Sequence, residues 1–189
     1  MRINFMDSVS DETLVRECIA GNRQYQEMLY KKFCWKMMGV CLRYSKNKEE
    51  AEDFLQEGFV KVFTQLHSYK GKGALEGWVR RIIVNTVIDG LRKKSLMFKV
   101  VDIEEANDSA HSEDLVSEIS IHDLVMLIQE LAPGYRAVFN LFAVEGYTHK
   151  EIAAQLGISE GTSKSQFAMA RKVLREKIDE QVKEISIKR

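Results

Sequence analysis

Residues 146–174, GYTHKEIAAQLGISEGTSKSQFAMARKVL, carry the pattern that decides the fold. Thr148 stands three residues before Glu151, the spacing of a capping box at a helix start. Ile152, Ala153 and Leu156 then fall on one helical face, and Ala153 is small enough for two helices to cross closely there. Gly157 suits a left-handed C-terminal stop, which a side chain would oppose. Ser159 can cap a second helix, with Glu160 favourable in its first turn and Ile158 free to enter the core. That helix would turn Phe167, Ala170 and Leu174 inward. Thr162, Lys164, Ser165, Gln166 and Met169 would lie on or near the other side, a short and mostly uncharged or basic set suited to base edges and phosphates. The spacing predicts a helix-turn-helix, a unit that sets a short helix in the DNA major groove. The alternative is a plain helical hairpin, because turn signals of this kind recur in many helical proteins.

The rest of the chain is helical in pattern. Its 189 residues suffice for one or two small domains, and a hydrophobic content of 45% supports an ordinary core. There is a single proline, and no run alternates as a strand would. No segment approaches ~18 consecutive apolar residues, so no membrane insertion is expected. The N-terminal MRINFMDSVSDETL has acidic residues where a signal peptide needs an apolar stretch. Cys18, Cys34 and Cys41 are odd in number and not closely paired, which fits reduced thiols in a cytoplasmic protein.

Formal net charge is zero, but its distribution is uneven. Residues 60–99 hold nine Lys and Arg against two acidic residues. Residues 100–130 hold nine acidic residues and no Lys or Arg, and residues 131–189 hold ten basic against seven acidic. Two segments of positive charge are thus separated by an acidic one, the footprint of nucleic-acid contact at two places.

Helices are expected over 11–30, with Ser10 or Asp11 as cap and Leu14, Cys18 and Ile19 on one face, over 25–45, over 49–66 and over 75–93. The stretch VDIEEANDSAHSEDLVSE reads as a linker, being acidic and poor in large apolar residues. A second helical unit begins at Ile119, with Pro133 opening its next helix and Gly146 closing it.

The helix over GWVRRIIVNTVIDGLRKK is the second informative block. Trp78, Ile82, Ile83, Val87 and Leu91 form or border an apolar face, while Arg80, Arg81, Asn85, Asp89, Arg92 and Lys93 supply polar groups. Before it runs Ser68-Tyr69-Lys70-Gly71-Lys72-Gly73. An aromatic ring, lysines and glycines beside a basic helix suit single-stranded nucleic acid, since bases stack on rings and lysines reach phosphates. Trp78 itself reads sooner as a core residue, since tryptophan is heavily buried on average. In the preceding helix, AEDFLQEGFVKVF puts Asp53, Gln56 and Glu57 on one polar face, a partner surface or simply a solvated one.

These blocks, in this order, resemble the bacterial RNA polymerase sigma factors of the short, two-domain extracytoplasmic-function (ECF) group, from about Asp11 to Lys177. The resemblance implies an all-α protein of two small helical domains joined by an acidic flexible linker. Residues 1–99 would form sigma domain 2, residues 100–118 the linker and residues 119–189 sigma domain 4 with the helix-turn-helix. It implies that the helix holding Asp53, Gln56, Glu57 and Phe59 docks on the clamp of the polymerase largest subunit, with the flap as a further polymerase contact. Tyr69, Lys70, Lys72, Trp78, Arg80, Arg81, Asn85, Asp89, Arg92 and Lys93 would recognise and melt the −10 element, Asn85 and the loop holding an extruded base. Lys164, Ser165 and Arg171 fall where the family contacts the −35 element, with Thr162, Gln166 and Met169 completing that set. Ser163 stands where the family usually has a branched apolar residue, so looser packing is expected there. Gln166 and Met169 replace a frequent arginine.

The implied partners are core RNA polymerase, promoter DNA and an anti-sigma factor, with no cofactor. His67, His111, His122 and His149 are scattered and make no metal or triad pattern, and no phosphate-binding glycine loop is present, which argues against an enzyme. A helix-turn-helix regulator that binds duplex DNA on its own is the alternative. It explains the C-terminus and leaves the Trp78–Lys94 block without a task.

Overall fold

The computed structural model describes residues 9–93 and 120–187, which are helix and turn throughout, with no strand among them. The acidic stretch expected as a linker, residues 100–118, lies outside the described residues. The described residues divide into two compact units, one of residues 9–41 with 48–90 and one of residues 42–47 with 91–93 and 120–187.

The first unit starts with α1 (Asp11–Ile19), whose cap is Ser10: its hydroxyl accepts from the Thr13 amide at 3.2 Å. Leu14, Val15 and Cys18 are buried, and burial raises the Cys18 thiol pKa to about 11. The expectation of one helix from 11 to 30 is corrected. Gly21, at φ +82°, turns the chain, and Asn22 caps α2 (Arg23–Tyr44) by accepting from the Gln24 amide. Because α1 stops there, Ile19 is 53% exposed instead of inward.

α3 (Lys48–Gln65) buries Ala51, Phe54, Leu55, Gly58, Phe59 and Val62. It leads through a 3-10 turn (Leu66–Ser68) and a loop to α4 (Leu75–Lys93), which buries Leu75, Val79, Ile83, Val84, Val87, Ile88 and Leu91. Two glycines set how near α3 and α4 come. A Cβ on Gly58 would run into Ile83 Cδ1, and one on Gly90 into the ring of Phe54. Side chains from one helix occupy the space a methyl would need on the other.

The second unit contains α5 (Ile121–Glu130), capped by Ser120, and α6 (Pro133–Phe139), with proline in its first turn. α6 runs into a π turn (Asn140–Val144), closed by the Glu145 amide on the Asn140 carbonyl at 2.9 Å. Then follow α7 (His149–Leu156) and α8 (Glu160–Ile187). The core here gathers Leu127, Ile128, Leu131, Ala170 and Leu174, flanked by Tyr135, Phe139, Val173 and Ile178. Among the described residues, no helix is long and apolar enough to cross a membrane.

Candidate nucleic-acid interface

The polar stripe of α4 follows from its buried one. With Val79, Ile83, Val87 and Leu91 inside, Arg81, Asn85, Asp89 and Arg92 are left on the solvent side at spacings of four, four and three. Lys93 is exposed beside them, and Arg80 is half-buried on the flank. Trp78 heads the row and is half-buried. Tyr69 packs against it with ring centroids 5.6 Å apart, and the Tyr69 hydroxyl donates to the Gly73 carbonyl at 2.7 Å. The loop is therefore folded back on the start of α4, and Gly71 and Gly73 take the left-handed turns (φ +68° and +81°) this requires. Lys70 and Lys72 are exposed on it. The arrangement presents two cations and two rings at one end of a row holding an amide, a carboxylate and two guanidiniums. Such a surface can stack bases and hold phosphates.

On α3, Asp53, Gln56 and Glu57 are exposed in one row, while Phe59 is not. Phe59 is 3% exposed and packs edge-on against Tyr30, ring centroids 4.7 Å apart. Expected in the same exposed row, Phe59 instead lies beneath it. An i+3 step from Gln56 already passes onto the buried side of α3. Lys61 reaches both Glu57 (3.3 Å) and Asp89 of α4 (3.6 Å).

In the second unit the helix-turn-helix is built as its sequence requires. The Thr148 hydroxyl accepts from the Glu151 amide, and the Glu151 carboxylate accepts from the Thr148 amide at 2.8 Å. The Thr148 amide first, and then the Thr148 hydroxyl donating at 2.7 Å, hold the Glu151 carboxyl below its usual range. Gly157 is left-handed (φ +70°), and Ser159 caps α8 by accepting from the Thr162 amide at 2.9 Å. Lys164, Ser165 and Arg171 are exposed on α8, Lys164 pairing with Glu160 at 2.8 Å. Thr162 and Met169 are half-buried.

Gln166 is also half-buried and less outward than expected. Its amide leans over Gly134 of α6, within 3.1–3.4 Å of where a Cβ would stand, and its Oε1 is enclosed. Ser163 departs further from expectation. It is fully buried, and its hydroxyl shares a 2.9 Å hydrogen bond with His149 Nδ1. His149 stacks on Phe142 at 4.3 Å, and Phe142 meets Phe167 at 4.5 Å. A serine read as a packing defect is thus the partner of a half-buried imidazole, a pairing that no local spacing signals. Burial first, then the Lys164 charge, lowers the His149 pKa from 6.5, against a smaller opposing effect of Glu160.

Residues 29–97 match the family model for Sigma-70 region 2, and residues 121–174 that for Sigma-70, region 4, together well over half of the chain. The chain is 30% identical over 176 residues to the ECF RNA polymerase sigma factor SigE of Mycolicibacterium smegmatis, covering 90% of this chain and 65% of that protein. It is 26% identical to the RNA polymerase sigma-H factor of Pseudomonas aeruginosa, covering 87% of this chain and 91% of that one. Among solved structures it is similar to the sigma factor RpoE bound to the anti-sigma factor NepR from Bartonella quintana. That match has 20% identity and a TM-score of 0.49, over 79% of this chain and 94% of that one. With a region 2 match over the block that holds α3 and α4, and a region 4 match over the helix-turn-helix, the chain belongs to the Sigma-70 family of bacterial RNA polymerase sigma factors, in its ECF group.

Proposed function

We propose that this protein binds core RNA polymerase and directs promoter-specific initiation, reading a −35 element with α8 and opening a −10 element with α4 and the Tyr69–Gly73 loop. The single observation that carries this reading is the occurrence in one chain of both surfaces, in the order of regions 2 and 4. A regulator acting alone on duplex DNA needs the second surface and has no use for the first. The row Asp53, Gln56 and Glu57 is assigned to the polymerase clamp, and the C-terminal unit to the flap. Asn85, with the Tyr69–Gly73 loop at the Trp78 end of the same row, is assigned to holding an extruded base. New stacking and hydrogen bonds must offset the cost of unstacking that base. Lys164, Ser165 and Arg171 are assigned to the −35 duplex.

The Sigma-70 family is not a class of enzymes, and we assign this chain no covalent chemistry. Its place of action is the cytoplasm, with the polymerase, and an anti-sigma factor is the expected regulator. The test is run-off transcription with core polymerase on a promoter library, followed by sequencing of the start sites. Transcripts sharing two spaced upstream elements are expected only when the protein is added. Failure of the protein to retain core polymerase in a pull-down overturns the reading.

A further inference from the structure

Six large hydrophobic side chains are exposed among the described residues, and three of them, Tyr30, Trp35 and Val60, stand on α2 and α3. Trp35 is the extreme case at 83% exposed. An indole is a large apolar surface with one polar N–H, and a cluster of such rings left in water marks a contact surface more often than does a single stray leucine. Beside Trp35 runs a groove of about 280 Å³ between the two helices, with Tyr30 and Met38 from α2 and Glu52, Leu55 and Gln56 from α3 along it. The sequence pattern gave no reason to single out Trp35, because it stands off the stripe that α2 buries, Leu29, Phe33, Met37, Val40 and Tyr44.

Two observations say what covers this groove. Gln56 lines it and also stands in the row Asp53, Gln56 and Glu57, and Val60 extends that row by one further turn, so groove and row are one continuous face. The α3 side is rich in exposed acid, with Glu49, Glu52, Asp53 and Glu57. A basic surface with a protruding apolar side chain matches both the acidic rim of α3 and the groove.

We propose that Trp35 is the apolar anchor with which α2 and α3 hold core polymerase. The groove takes an aliphatic or guanidinium-bearing side chain of the polymerase, the indole covering it by stacking or cation–π contact, and the acidic row meets basic groups around it. This rests on the reading that the α3 row docks on the polymerase, and it moves the centre of that contact from the charges to the ring.

The experiment titrates end-labelled protein with core polymerase from the same bacterium and follows anisotropy, for wild type, Trp35→Ala, Trp35→Phe and, as an exposed apolar control, Ile19→Ala. Circular dichroism and thermal denaturation check that each variant folds, and Trp35→Gln replaces any alanine variant that does not. The expected result is a ten- to hundredfold weaker affinity for Trp35→Ala, partial rescue by phenylalanine, and transcript yield restored at saturating polymerase. If wild type binds core and Trp35→Ala binds within twofold of it, the anchor is overturned and the docking reading stands. If wild type does not bind core, the docking reading itself fails. A concentration-dependent dimer of the free protein that Trp35→Ala dissolves would assign the groove to a second copy and also overturn the proposal.

Discussion

His149 Nδ1 and Ser163 Oγ lie 2.9 Å apart and tie the first turn of α7 to the first turn of α8. The tie spans the two helices of the helix-turn-helix, so it fixes how α8 is presented. Ser163 is fully buried, and the rings of Phe142 and Phe167 pack against the pair's imidazole. A polar contact here replaces the branched apolar one expected in the family.

Ser163→Ala should destabilise the C-terminal unit by about 1–2 kcal/mol, because it leaves one ring nitrogen of a half-buried imidazole without its partner. The double variant Ser163→Ala/His149→Phe should recover much of that loss, since both polar groups are gone and the ring can still stack on Phe142. Urea denaturation of the four members of this cycle measures the coupling.

The same pair makes stability depend on pH. Burial and Lys164 lower the folded pKa of His149 below 6.5, so the unfolded chain takes up the proton first as pH falls. This contribution is fully present above about 6.5 and is lost as pH drops through the folded pKa. Denaturation midpoints at pH 7.5 and 5.5 should fall more for wild type than for His149→Phe, with carboxylate titration common to both.

Two glycines of α4 should respond to alanine with opposite signs. At Gly90 a Cβ would collide with the Phe54 ring. Overpacking of about 1–3 kcal/mol therefore outweighs the gain of up to about 1 kcal/mol in helix propensity. At Gly77 nothing lies within 4 Å, and alanine should stabilise by roughly 0.4–1 kcal/mol. Urea midpoints of Gly90→Ala and Gly77→Ala check both.

Asn85→Ala should separate docking from melting. Asn85 is exposed at the middle of the α4 stripe, so its loss should leave the fold and core binding unchanged while reducing open complex about two- to tenfold, the worth of one hydrogen bond. Permanganate footprinting of open complex beside a core-binding titration gives the two readouts. Equal loss in both would count against the assignment.

What the sequence made legible was local. Thr148 with Glu151, Gly157 and Ser159 act through neighbours three or four residues away, and each takes the position its spacing implies. What stayed hidden depends on residues far apart in the chain. Phe59 reads as part of a motif row, yet Tyr30, 29 positions earlier, covers it. Ser163 reads as a defect until His149 is placed against it. Nothing in the local pattern around Gly58 and Gly90 signals that Ile83 and Phe54 fill the space above them. Ile19 reads as core because helical periodicity continues through Gly21, and only the left-handed turn ends it.

The crossing of α3 and α4 has a mechanical consequence. The row assigned to the polymerase and the stripe assigned to the strand are carried by helices locked through Gly58 and Gly90, with Lys61 spanning Glu57 and Asp89 at the surface. Under the proposed function these are two sides of one gauge block. Wherever the polymerase seats α3, the base-holding groups of α4 are set at a fixed offset from that seat. The distance from the melted base to the catalytic centre would then be inherited from the polymerase, and a docking error of one helical turn would shift the start of the transcript with it.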